Sequence, residues 1–304
     1  MAVLELTRET FYTEVLQEKR LVIVDFWAAY CTPCRMLIPV LEEIAAERSD
    51  VKICKLNVDE AQDIAERYGV MSMPILIFFK NGEPIKTKEL FGVFNAVLFS
   101  PEDLFLIKGA PAERRRFLDG EISQASPAYG HELMQYTRIL TQRNSLLKKI
   151  RERRGGKEML SLWDEQLAKS AAHIVEKRFL AVKKLNMLAN LMQRRISAGK
   201  ENLSLSYELC GAEEEPPCVT EELVPWYNKK LEESLDLDIL RGSTSVGPQR
   251  DDIRLEVNGV NLRSFGSQGQ QRTGVLALKL SELEFLRSET GEYPVLLLDD
   301  VMSE

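Results

Sequence analysis

The segment that most constrains this chain is an apolar run, Leu21-Val-Ile-Val-Asp-Phe-Trp27, that leads almost directly into Cys31-Thr-Pro-Cys34. The run is rich in β-branched and aromatic residues, the pattern of a buried strand. Beyond the cysteines, residues 35–48 carry apolar side chains at Leu37, Val40, Leu41 and Ile44, which is helical spacing. Cys31 therefore falls at a strand-to-helix turn and Cys34 in the first helical turn. A helix N-terminus offers partial positive charge and unpaired N–H groups. Both favour a thiolate on Cys31, the nucleophile of disulfide exchange, with Cys34 close enough to resolve the mixed disulfide. Such a pair can also be half of a zinc site. Cys54, Cys210 and Cys218 supply no second pair at zinc spacing, so no zinc is expected.

A second strand is predicted over Val51–Val58 and a short helix over about 60–68. Met73-Pro74 then opens a further strand to Lys80, and Asn81-Gly82 is a hairpin signal before a strand over 83–91. These residues resemble the thioredoxin family: Val24-Asp-Phe-Trp-Ala-Ala-Tyr-Cys-Thr-Pro-Cys34, Lys55-Leu-Asn-Val-Asp59, Met73-Pro74 and Phe91-Gly92. The resemblance implies that Cys31 attacks and Cys34 resolves. It also implies that Asp25, with Lys55 beside it, is the buried carboxylate that assists proton transfer. Pro74 would be a cis-proline shaping the substrate groove, and the partners would be thiol or disulfide substrates or a thioredoxin reductase. Thr32 stands where the family usually has glycine. The family also needs a last helix over one face of the sheet, and residues 93–99 do not read as one.

The remaining two-thirds of the chain needs its own account, because 304 residues are enough for about two domains. The net charge of −7 is unevenly spread. Residues 94–200 carry 20 basic and 11 acidic side chains, a net of +9, inside an otherwise acidic protein. That is a candidate phosphate-binding surface, or simply the solvated faces of long helices. Two histidines are too few for a multi-histidine metal enzyme, and five cysteines are no secreted disulfide scaffold. The first residues are acidic where a signal peptide is apolar. No apolar run nears the about 20 residues of a membrane helix, so a cytoplasmic protein with no membrane partner is expected.

Ser100-Pro101-Glu102-Asp103 reads as a helix start, and a basic cluster follows at Arg114, Arg115 and Arg116. Two heptad-like helices, about 126–154 and on to about 198, are joined by Gly155-Gly156; they read as a helical arm or a plain helical core. Arg143 interrupts the apolar stripe of the first. Leu203–Glu208 and Ile253–Gly259 read as strands. Ser264-Phe-Gly-Ser-Gln-Gly-Gln-Gln-Arg-Thr273 leads into a helix with leucines at 276, 280, 283 and 286, a turn that presents N–H groups and a hydroxyl to an anion. Tyr293–Asp300 reads as a short buried strand ending in two acids, as a Walker B element does; alone it could equally be a strand with solvated acids.

Together these segments resemble the RecF family of DNA replication and repair ATPases, which are ABC-type proteins related to SMC and Rad50. The resemblance runs from about 95 to 304. It rests on Val97–Leu104, Arg114–Asp119, Gln142-Arg-Asn144, Trp163–Ala168, Gly247-Pro-Gln-Arg-Asp-Asp252, Phe265–Arg272 and Leu296–Glu304. It implies that Ser267, Gln268, Gly269 and Gln270 are the signature motif that contacts the γ-phosphate of ATP held by a second subunit. It implies that Asp299 holds Mg²⁺ and that Asp300 polarises the attacking water. Arg114, Arg115 and Arg116 become DNA-binding candidates, and the implied partners are single-stranded and gapped duplex DNA, an ATP-dependent dimer mate and recombination mediator proteins. Gln249 stands where the family more often has histidine.

The expected class is α/β: a thioredoxin-like βαβ unit over 1–93 lacking its final helix, then a partial ABC/SMC-type ATPase head with a helical arm over 94–304. Within the latter, 95–125 is a head segment, 126–200 the arm, and 201–304 the signature and Walker B part. The 304 residues contain no Gly-x-x-x-x-Gly-Lys-Ser/Thr phosphate loop. ATP hydrolysis by this chain alone is therefore not expected. Three functions follow: a RecF-like protein of recombinational repair and the SOS response, a thioredoxin-type oxidoreductase, or an inactive join of two gene fragments, since the second part also stops at Glu304 inside the motif after Walker B.

Overall fold

The computed structural model describes residues 2–85, 95–156, 159–212 and 216–299. The chain divides into two compact units, residues 1–90 and 91–304.

The first unit is a five-stranded sheet in the order β1-β3-β2-β4-β5, built from β1 (Leu4–Leu6), β2 (Leu21–Trp27), β3 (Val51–Asn57), β4 (Ile75–Lys80) and β5 (Glu83–Pro84). β1, β3 and β2 run parallel, β4 is antiparallel to β2, and β5 returns on β4. The β2–β3 connection is α1 (Thr32–Glu47), and α2 (Gln62–Arg67) follows β3. Pleating sends alternate side chains to opposite faces. One face buries Val22, Val24, Phe26, Leu56 and Phe79 with Phe11, Val15 and Ile64. Burial of each large side chain is worth roughly 1.5–3 kcal/mol. The other face packs Ile53 and Val51 against Leu41 and Ala45 of α1, while Leu21, Ile23, Leu37 and Leu76 stay half-buried. The predicted hairpin is present: Asn81 (φ 52°) and Gly82 (φ 81°) both take the left-handed conformation that a two-residue turn of this type demands. Gly82 has a second constraint. A Cβ there would collide with the carbonyl of Leu16, in the π-helical turn Tyr12–Leu16. Most of the strand expected over 83–91, and the 93/94 boundary, lie outside the described residues.

The second unit begins with β6 (Ala96–Phe99), a strand in part of the segment that did not read as a helix. Ser100 and Asp103 then close a capping box around the turn Pro101–Leu104, which runs into α3 (Phe105–Lys108). The helices α4 (Pro111–Ala125), α5 (Pro127–Arg151) and α6 (Leu160–Ile196) follow. Then come β7 (Leu203–Glu208), α7 (Thr220–Glu233), α8 (Leu235–Arg241), β8 (Asp252–Val257), β9 (Val260–Asn261), α9 (Leu262–Phe265), α10 (Gln268–Thr290) and β10 (Val295–Leu298). β7, β8 and β9 form an antiparallel sheet, and β6 pairs with β10 in parallel.

The two long helices predicted around Gly155-Gly156 are α5 and α6. They contribute to the core: α6 packs on α5, α7, β7 and α10, and brings Leu167, Ile174, Val175, Val182 and Leu185 to the unit's large apolar core. Arg143, which interrupts the stripe of α5 in the sequence, is fully buried. Its guanidinium donates to Asp164 (2.6 Å), Asp238 (2.7 Å) and Thr244 (2.8 Å). Arg178 of α6 is held the same way by both Asp119 oxygens (2.9 and 2.8 Å), the Pro248 carbonyl and Tyr207.

One expectation is corrected here. The strand ending in Asp-Asp was expected to be buried, yet all four β10 residues are exposed, from 45% at Val295 to 60% at Leu298. Parallel strands are buried when neighbours and both faces are covered, and among the described residues β10 pairs only with β6. Likewise Leu276 of α10 points outward, and the buried face is Val275, Ala277, Leu278, Phe285 and Leu286.

Candidate functional site

In the first unit, the chain leaves β2 at Trp27 and enters α1 with Cys31 as N-cap. Cys31 and Cys34 form a disulfide with an S–S distance of 2.01 Å. The Cys34 N–H donates to Cys31 Sγ at 3.2 Å, so the helix terminus is aimed at that sulfur. Cys31 is 8% exposed and Cys34 is fully buried, so an incoming thiol can reach only Cys31. Trp27, Val58 and Met73 pack around the pair. The Met73–Pro74 bond is cis, and Pro74 is exposed.

Asp25 lies on β2, directly opposite Lys55 in the β2–β3 register. It is fully buried, and neither carboxylate oxygen has a hydrogen-bond partner. Burial pushes its carboxyl up to about 6, against a smaller downward pull from Lys55. Lys55 Nζ sits 5.3 Å from the centre of the Trp27 ring and 3.5 Å from Glu5. A carboxyl with that affinity for protons exchanges them near neutral pH, as general acid–base work in disulfide exchange requires.

In the second unit, Ser267 caps α10. Its hydroxyl accepts from the Gln270 N–H, and the Gln270 side chain returns to the Ser267 N–H. Gln270 also bonds Glu201. The side chains of Ser267 and Gln270 therefore shape the turn. Gln268 and Gly269 are exposed, and a Cβ at Gly269 would meet only Ser267 Oγ, at 3.9 Å. The turn thus presents backbone to solvent at the end of a 23-residue helix, as an anion contact would need. Asp299 follows β10, with its N–H bonded to the Phe99 carbonyl at 2.8 Å. Asp300 lies outside the described residues. No group of three or more metal-binding side chains occurs among the described residues. A Mg²⁺ held by one or two carboxylates plus nucleotide phosphates would not need such a group.

The arginine cluster is not one surface. Arg114 is buried, paired with both oxygens of Asp252 (2.7 and 2.8 Å) and with the carbonyls of Leu106 and Gly109. Arg115 donates to the Asp251 carbonyl at 2.7 Å. Only Arg116 points fully outward, beside Glu113. The helical phase of α4 turns Arg114 to the core, and its partner lies far along the chain. Sequence reading also missed the Gln249 contact with the Tyr136 hydroxyl, which ties the Gly247–Asp252 loop to α5.

The folds and sites define two classes in one chain: a thioredoxin fold with its disulfide, and a RecF-like ATPase fold with an N-capped turn at Ser267. A thioredoxin family model matches residues 2–96. RecF of Halothermothrix orenii is 48% identical over 220 residues, covering 72% of this chain and 59% of the relative. RecF of Alkaliphilus oremlandii is 48% identical over 261 residues, covering 84% of this chain and 66% of the relative. A solved structure of the recombination mediator protein RecF with ATP aligns with a TM-score of 0.69 at 42% identity, over 76% of this chain and 61% of that one. The second unit is similar to RecF proteins at 42–48% identity, and it follows a segment that matches the thioredoxin family model. The chain spans about three-fifths to two-thirds of the length of these relatives. No described helix is long and apolar enough to cross a membrane.

Proposed function

We propose that this chain acts in DNA replication and recombinational repair as a RecF-like protein that binds single-stranded and gapped duplex DNA. The observation that supports this most is 42–48% identity to RecF proteins across the unit that carries the Ser267–Gln270 turn and Asp299. In this reading the backbone of Gln268 and Gly269 meets the γ-phosphate of ATP on a partner subunit. Asp299 would hold Mg²⁺, and Asp300 would orient water. Bound nucleotide would supply the charge that draws two copies together; recombination mediators, the SOS response and a cytoplasmic location belong to the same proposal. The phosphate loop is absent from these residues, so turnover by this chain alone is not expected. The test is binding of a labelled gapped duplex. Phosphate contacts release counterions, so affinity should fall steeply as salt rises. Undetectable or salt-insensitive binding overturns the reading.

A second reading has its own observation: the Cys31–Cys34 disulfide beside the unpaired, proton-holding Asp25. It supports thiol–disulfide exchange by the first unit. A dithiol substrate's thiolate attacks Cys31 Sγ, the Cys31–Cys34 bond breaks, and Cys34 leaves as the thiolate that takes a proton from Asp25. The substrate's second thiol then releases its own disulfide and reduced Cys31. Insulin reduction in the reverse direction, driven by dithiothreitol, tests it.

A further inference from the structure

The arm's basic end enters neither family's signature motifs. Residues 148–158 hold Lys148, Lys149, Arg151, Arg153, Arg154 and Lys157 against Glu152 and Glu158. Three of the six cations end α5, where cations ordinarily offset the partial negative charge of a helix C-terminus. The run then continues past the helix, through Arg153 in a left-handed conformation (φ 59°) and Arg154. Lys148, Lys149, Arg151, Arg153 and Arg154 are all exposed. Among the described residues Glu152 pairs with Arg154, at 3.7 Å. α8 adds another cation at the same place. Arg151 Nη1 donates to the Arg241 carbonyl at 3.4 Å, and a Cβ on Gly242 would press on Lys148 and Arg151, so exposed Arg241 sits against this end. Offsetting a helix dipole needs one or two charges. This is a convergent positive patch made by two separate segments of chain.

We propose that the α5 end, with Lys148, Lys149, Arg153, Arg154 and Arg241, grips the phosphate backbone of duplex DNA. This rests on the DNA-binding reading above and names the surface that carries it. Among the described residues of 144–162 there is no exposed aromatic ring, and the exposed apolar side chains there are Met159 and Leu162. Single-strand binders stack bases on aromatic rings. A patch of cations without rings reads charge and not sequence, which suits the duplex arm beside a gap. It also takes the place of Arg114, whose guanidinium is buried against Asp252 and two carbonyls.

The test uses the full chain and a fluorescein-labelled gapped duplex, by anisotropy from 50 to 200 mM salt. The variant is Lys148→Gln, Lys149→Gln, Arg153→Gln and Arg154→Gln combined; Arg151 is kept because it bonds the Arg241 carbonyl. The control neutralises Lys183, Arg194 and Arg195, exposed cations elsewhere on α6. The variant should keep its thermal melt, bind at least about tenfold more weakly, and show a salt slope shallower by about one per lost contact, roughly four in all. The control should lose far less. Equal affinity and slope in variant and wild type overturn the patch while DNA binding itself stands. No DNA binding by the wild type overturns both. Sedimentation with phosphatidylserine vesicles that depends on these four cations, without such a dependence on DNA, overturns the proposal in favour of a membrane surface.

Discussion

In the first unit one carboxylate, Asp25, is fully buried with no hydrogen-bond partner on either oxygen. In the second, Arg143, Arg178 and Asp238 are equally buried, and each is held by opposite charge. Asp238 accepts from Arg143, from the Ser245 N–H (2.9 Å) and from the Ser245 hydroxyl (2.6 Å). The contrast separates two uses of buried charge. A paired charge fixes architecture: Arg143 joins α5, α6 and α8, and Arg178 joins α4, α6, β7 and the Gly247–Asp252 loop. An unpaired one keeps an elevated proton affinity and is free to titrate, which is what chemistry needs.

The comparison breaks first at Cys31. Cys31→Ser should abolish dithiol-driven insulin reduction outright, while Cys34→Ser should trap a mixed disulfide visible by mass spectrometry under non-reducing conditions. Full activity in Cys31→Ser would remove any chemical role for Asp25 as well. Next comes the architectural side. Asp238→Ala leaves Arg143 buried with one carboxylate fewer and should cost the second unit about 3–5 kcal/mol, read by denaturant unfolding. A loss below about 1 kcal/mol would mean that the pair does not hold the helices together.

Asp25→Asn should do the opposite and stabilise its unit, by on the order of 3 kcal/mol at pH 7.5. The sign follows from the raised proton affinity. The folded state keeps the Asp25 proton up to about 6, so stability present below 3.8 is lost as pH climbs through 6. The variant should lack this slope and match the wild type at pH 3.5. Asp251 of the second unit is also raised to about 6 by burial, so protection must be followed on β2 and β3 amides by hydrogen exchange. The smallest effect belongs to Arg116→Gln, which removes an exposed ion pair and should change stability by less than about 0.5 kcal/mol.

Much of the first unit was legible in the sequence, because its signals are local. Strand, cysteine pair and helix are contiguous, and Asn81-Gly82 dictates its own turn. The cap at Ser267 was legible for the same reason. What the sequence hid depends on distant partners. Arg114 looks like a surface cation until Asp252, 138 positions later, is placed beside it. Arg143 looks like a break in a stripe until Asp164 and Asp238 arrive. The Val-Leu-Leu-Leu strand looks buried because apolarity records what a segment can pack against, and not how many neighbours are beside it.

Gly82 carries a consequence for mutational tolerance. It has both a left-handed backbone and a carbonyl where a side chain would begin, so neither a turn-friendly asparagine nor a small alanine relieves both constraints. In a saturation library, position 82 should be a nearly empty column. Gly120, within α4 and with nothing within 4 Å of an added Cβ, should accept alanine freely.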